Sequence, residues 1–164
     1  MQKVKPGIIL WLILFVLWLL LAGTNRDEII VGAVASLIIS LLFYPKAAAL
    51  GSIRLTPKAF LYIFLYFFVF IRELVKSTID VAGRVLSPRL PINPGIVKVR
   101  TRLTSPIARL ILANSITLTP GTMTIETKGE FYYIHWIDIQ AEDIEAATHA
   151  IVTTFEKYLE VIFE

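Results

Sequence analysis

The sequence predicts a membrane α-helical N-terminal part, two spans plus a tilted or interfacial third helix, followed by a small C-terminal α+β domain of order βαββα. Three observations predict it. The 164 residues are 56% hydrophobic with a mean hydropathy of +0.71, too apolar for an ordinary soluble domain. Apolar runs at 7–22, 29–44 and 59–71 crowd the first part, whereas later segments step at strand and helix periods. Between the two patterns lies 87–95, with three prolines and a glycine that disfavour helix and suit an extended linker. The expected division is therefore a transmembrane/interfacial helical domain at 1–86, a linker at 87–95 and a cytoplasmic α+β domain at 96–164.

Charge follows the same division. Residues 1–110 hold 14 Lys and Arg against 4 Asp and Glu, whereas 111–164 hold 2 against 9. A basic membrane-proximal part and an acidic solvated end explain this pattern. Nucleic-acid binding is not expected, because basic residues interleaved with aromatics in a soluble domain are absent. The chain has no cysteine, which excludes disulfides, thiolate metal sites and a cysteine nucleophile.

Residues 2–6 form a short basic leader with Lys3 and Lys5. The apolar run at 7–22 has the shape of a signal peptide, but a second apolar segment follows at once, which favours a retained membrane helix. Asn25 or Asp27 in the polar turn at 23–28 can cap the next helix. In 29–44, Gly32, Ser36 and Ser40 recur every four residues and allow close helix approach, within this chain's own hairpin or against another chain. Both segments are shorter than the roughly 20 residues a bilayer core needs, so a turn more is expected at each end.

The loop at 45–58 carries Lys46, Arg54 and Lys58 and no acid, which places it and the leader on the cytoplasmic side. Thr56 and Pro57 open the third helix as N-cap and first-turn proline. Its aromatic start at 59–71 gives way to charges at Arg72, Glu73, Lys76, Asp80 and Arg84. The helix either crosses the bilayer or lies tilted in the interface. The basic residues that follow, Arg89, Lys98, Arg100 and Arg102, favour the second arrangement. Glu73, Lys76 and Asp80 share one helix face. They are candidates for a proton relay at membrane depth, although an amphipathic helix more often turns such a face to water or headgroups.

Beyond the linker, 96–102 alternates as a strand, and Thr104-Ser105-Pro106 restarts a helix through 116. Residues 113–122 read as a helix-to-strand joint dense in small hydroxyls, with Pro120-Gly121 as a type II turn. Strands at 123–126 and 131–139 are joined at Lys128-Gly129-Glu130. A last helix spans 141–163, acidic in its first turns and striped by Ile144, Ala147, Ile151, Phe155, Leu159 and Ile162. Two helices against a small sheet make a two-layer sandwich.

No glycine-rich phosphate loop, nucleophile elbow or metal-spaced cluster is present, so no catalytic residue, cofactor or metal is expected. His135 reads as a hydrogen-bonded strand residue and His149 as a surface residue. Asp138 is suited to cap the helix at 141 or to pair with a neighbouring base.

The run from Asn114 to Thr122, Asn-Ser-Ile-Thr-Leu-Thr-Pro-Gly-Thr, resembles the signature of the MnhE family, the E-type chains of Mrp-type multisubunit Na+/H+ antiporters. The resemblance extends to the hydrophobic segment at 11–23, the approach at 91–99 and His135-Trp136. It implies a non-catalytic membrane subunit of a cation/proton antiporter in the cell membrane. Such a subunit supports complex assembly and stability, with other subunits and the bilayer as partners. Similar subunits of membrane-bound hydrogenase or sulfane reductase complexes are the alternative. A free-standing membrane-tethered binding module is disfavoured by the small-residue side of the second helix and by the resemblance itself. Asn114, Ser115, Thr117, Thr119, Pro120, Gly121 and Thr122 then form either a structural joint or a docking surface for another subunit.

Overall fold

A computed structural model describes residues 6–44, 54 and 56–164. The leader lysines Lys3 and Lys5, and most of the basic loop at 45–58, lie outside the described residues. Contacts gather the chain into two compact units, Met1–Ile53 and Arg54–Glu164.

The first unit is a helical hairpin of α1 (Pro6–Ala22) and α2 (Arg26–Leu42), turned at Gly23 with φ +94°. Its packing is made by small residues of α2 against tryptophans of α1. A Cβ on Gly32 would lie 2.3 Å from Trp18 Cδ1. Trp11 Nε1 donates to the Ala33 carbonyl at 3.1 Å, and Ser40 donates to the Gly7 carbonyl at 2.6 Å. Gly32, Ser36 and Ser40 are buried within this chain's own hairpin.

The expected membrane-spanning N-terminal part is not found. Among the described residues no helix is long and apolar enough to cross a membrane. The reason is length in α1 and α2, which have 17 residues each. At about 1.5 Å per residue such a helix falls short of a hydrocarbon core of roughly 30 Å. In α3 (Pro57–Leu86, 30 residues) the reason is charge, because Arg72, Glu73, Lys76, Asp80 and Arg84 interrupt the apolar run. Nor does α3 lie apart: it belongs to the second unit, where one side of it packs on α6 (Thr153–Phe163).

In that unit the strands are β1 (Gly95–Arg100), β2 (Thr122–Lys128) and β3 (Phe131–Trp136). They form one antiparallel sheet of order β1-β3-β2, with a bulge in β2 between Thr124 and Glu126. Between β1 and β2 runs α4 (Pro106–Leu118), capped by Ser105. The expected last helix is two helices, α5 (Ile144–Ile151) and α6 (Thr153–Phe163), interrupted at Val152. It begins later than 141 because Asp143 is the N-cap, accepting from the Ala146 amide at 2.7 Å. His135 sits in β3 between Ile96 and Met123, and His149 is exposed on α5.

Helix α4 packs on β2, α5 on β1, α6 on α4, and α3 on α6. Val99, Leu112, Ile116, Tyr132, Ile134, Val152 and Leu159 are the largest fully buried side chains of the core. Two carboxylates, one in α6 and one at its C-cap, tie down the backbone entering α4. Glu156 accepts from the Arg102 amide at 2.7 Å, and Glu164 accepts from the Thr104 and Ser105 amides at 2.8 and 2.9 Å. Thr56 caps α3, accepting from the Ala59 amide at 3.1 Å. Tyr66 and Phe70 of α3 both stack edgewise or tilted on Phe155 of α6, and the Tyr66 hydroxyl bonds the Ser115 hydroxyl of α4.

Candidate functional site

The joint after α4 is built by hydroxyls that satisfy carbonyls near the helix end. A helix leaves its last four carbonyls without intrahelical partners. Thr119 donates to the Ser115 carbonyl at 2.8 Å, and Thr122 donates to the Ile116 carbonyl at 2.7 Å and the Thr119 carbonyl at 3.0 Å. Within the helix, Ser115 and Thr117 donate to the Ile111 and Ala113 carbonyls at 2.8 and 2.9 Å. The Thr117 hydroxyl also accepts from the Thr124 amide at 3.2 Å, fastening the helix end to β2. These side chains are the reason the chain can reverse here without leaving buried backbone unpaired.

Gly121 closes the turn at φ +92°, the positive value a Pro-Gly turn requires. It also occupies a crowded place: a Cβ there would lie 3.1 Å from Ile137 Cγ2 and 3.4 Å from Val81 Cγ2. Its carbonyl accepts from the Ile137 amide at 2.8 Å. On the other side of that stretch, Asn93 exchanges backbone bonds with Ile137 and Ile139 at 3.1 and 2.9 Å. Residues 137–139 thus prolong β3 past Trp136 and hold the linker against the domain.

The charged end of α3 lies across the same turn. A cleft of about 270 Å³ is lined by Glu73, Lys76, Asp80 and Arg84 of α3 and by Thr119, Pro120, Gly121 and Thr122 of the joint. Its apolar floor includes Ile116, Ile137, Ile151 and Phe155. Two sets of residues that are separate in sequence therefore share one surface. Asn114, Ser115 and Thr117 are not among the lining residues: Asn114 is exposed, and Ser115 is buried beneath Tyr66.

Arg84 dominates the electrostatics. It meets Asp80 at 2.7 Å, Asp138 at 2.8 Å and the Pro91 carbonyl at 2.8 Å, with its side chain 15% exposed. Its pKa is raised, first by the hydrogen bond to Asp80 and then by Asp138. Asp138 is held below the usual carboxylate value by the bond from Gln140 at 2.9 Å and by Arg84. Of the two roles expected for Asp138, pairing with a base is the one observed. Glu73 pairs with Arg72 at 3.3 Å. Asp80 and Asp138 thus share one arginine and Glu73 meets another, while Lys76 is exposed and has no ion pair among the described residues. No group of three potential metal-ligating side chains occurs among the described residues.

Sequence reasoning missed Arg84 and Trp136 as members of this site. For Arg84 the signal was present, since Asp80 and Arg84 are spaced i,i+4. For Trp136 only the resemblance marked the position.

The family model described as Na+/H+ ion antiporter subunit matches residues 11–162. The chain is 40% identical over 97 residues to the E-type Na(+)/H(+) antiporter chain of Bacillus subtilis, a match covering 58% of this chain and 60% of that relative's length. It is 32% identical over 165 residues to the E1-type Na(+)/H(+) antiporter chain of Staphylococcus haemolyticus, covering 96% and 97% of the two chains. Among solved structures it is similar to a chain of the membrane-bound sulfane sulfur reductase, an archaeal respiratory membrane complex. That similarity has a TM-score of 0.87 and 42% identity, over 98% of this chain and all of that one.

Proposed function

We infer the function from one premise: the chain belongs to the Na+/H+ ion antiporter subunit family, the MnhE family. On that premise it is a subunit of a multisubunit membrane complex that exchanges Na+ for protons. Its own part is non-catalytic, the assembly and stabilisation of the complex. The observation that carries this reading is the cleft in which the family's signature turn and the charged end of α3 meet. The hydroxyls of Thr117, Thr119 and Thr122 support it further, because they are engaged by the chain's own backbone rather than offered to a substrate. Arg89, Lys98, Arg100 and Arg102 favour a cytoplasmic position for the α+β domain at 96–164, with 87–95 as the linker to the helices before it.

A second reading places the chain in the equivalent module of a redox-driven complex. The 42% identity over nearly the whole chain to a chain of the sulfane sulfur reductase favours it.

Purification through a tag on this chain in mild detergent, with mass spectrometry of all retained chains, tests both. Large antiporter-like subunits without redox proteins support the antiporter. Iron–sulfur or nickel subunits in the same particle move the chain to the redox complex. A chain that purifies alone overturns both.

A further inference from the structure

We propose that the signature run Asn114–Thr122 is the seat of this chain's own α3, and that it serves the complex by fixing how α3 is rolled and tilted rather than by touching another subunit. The inference rests on the subunit reading above and names the route by which the signature supports assembly. Two of its residues meet α3 directly. The one hydroxyl proton of Ser115 goes to the Ile111 carbonyl at 2.8 Å, so Tyr66 is the donor in the bond between the two hydroxyls. Gly121 carries the turn beneath Val81: a Cβ there would lie 3.4 Å from Val81 Cγ2. Tyr66 and Val81 stand about 22 Å apart along the helix and about 60° apart around it. One contact would let a helix pivot, whereas two at this spacing on one side set both roll and tilt. Thr117, Thr119 and Thr122 spend their hydroxyls on the joint itself and so hold the two seats at a fixed distance.

The roll decides which side of α3 points away. Tyr62 stacks on Tyr158, and Tyr66 and Phe70 on Phe155, while Phe60, Phe64, Phe67 and Ile79 are more than half exposed. A roll by one position would put Ile63, Phe67 and Ile71 where Tyr62, Tyr66 and Phe70 pack, with no hydroxyl left for Ser115.

A size exchange in the complex, purified in mild detergent through a tag on this chain, tests this. Ser115→Leu fills the place of the Tyr66 hydroxyl and should lose most of the retained subunits. Adding Tyr66→Ala makes room and should restore them. The chain has no cysteine, so Ser77→Cys, half-buried at the cleft, supplies a single thiol whose alkylation reports α3 lifting. Alkylation should quicken severalfold with Ser115→Leu and return to its starting rate in the size exchange. Val81→Trp, a wedge on α3 that leaves the signature intact and keeps the test open if Ser115→Leu does not fold, should lose the subunits too. Asn114→Ala and Thr117→Val should keep them. The proposal is overturned if subunits are lost at unchanged alkylation, if the size exchange restores neither readout, if Val81→Trp keeps the complex, or if Asn114→Ala loses it at unchanged stability. An unsubstituted chain that retains no other subunit refutes the subunit reading, whereas alkylation at position 77 still reports whether the signature seats α3.

Discussion

Arg84 Nη1 lies 2.8 Å from Asp138 Oδ2, joining the last turns of α3 to the continuation of β3. The same guanidinium holds the Pro91 carbonyl, so one side chain fixes the helix, the linker and the sheet edge. Arg84→Gln should release the linker without unfolding the core. The check is limited trypsin digestion at exposed Arg89, where cleavage should become several-fold faster, as expected when a locally stable segment opens more often. An unchanged cleavage rate would show that Arg84 does not secure the linker.

Gly121→Ala should destabilise the second unit by about 1–3 kcal/mol, the cost of a side chain at positive φ, with crowding against Ile137 added. For a chain of this size that is a drop in Tm of about 3–10 °C. Gly129 offers the control. Its φ is also positive, +58°, but nothing lies within 4 Å of the added Cβ. Gly129→Asn should therefore change Tm little.

Thr122→Val removes the bonds to the Ile116 and Thr119 carbonyls and should cost about 1 kcal/mol, read as a shift in urea midpoint. Asn114→Ala should leave that midpoint in place, because Asn114 is exposed and its side chain has no hydrogen bond among the described residues. A reduced yield of retained subunits from the Asn114 variant, at unchanged stability, would assign Asn114 to docking. Unchanged yield would leave it without a role in assembly.

Phe155→Ala should cost about 3–5 kcal/mol, because the ring is buried and receives Tyr66 and Phe70 of α3. Tyr66→Phe removes only the bond to Ser115 and should cost about 1 kcal/mol. Hydrogen exchange should show α3 loosened from α6 in the first variant and nearly native in the second.

Acid should weaken the fold at two identifiable carboxyls. Burial alone would raise Glu164, but the hydroxyl of Thr104 and the amides of Ser105 and Thr104 outweigh it, leaving the group below its ordinary 4.5. Asp138 lies below its ordinary 3.8 through Gln140 and Arg84. A depressed carboxyl adds stability above its unfolded-state value and loses it as pH falls through the folded-state value. Tm should thus hold steady above these ordinary values and decline below them. Asp138→Asn should shrink the decline, as calorimetry across that range would show.

Much of the second unit can be read from local chemistry. Hydroxyls before prolines at Thr56 and Ser105 start α3 and α4, and the Pro-Gly pair at 120–121 makes the turn. The site itself is not readable in that way. It depends on Tyr66 reaching Ser115 across 49 residues, and periodicity encodes which face of a helix is apolar but not what that face meets. The apolar runs of α1 and α2 likewise report hydrophobicity without fixing helix length, and the helices that form are too short for the expected spans. The break at Val152 is invisible for a similar reason, since the apolar stripe from Ile144 to Ile162 continues through it.

Trp136 lines the cleft, and the other two tryptophans of the chain, Trp11 and Trp18, belong to α1 in the first unit. With those two changed to phenylalanine, the remaining indole is a native fluorophore at the cleft. Water leaving the cleft should move its emission to the blue, so occupancy becomes an optical signal that needs no attached dye.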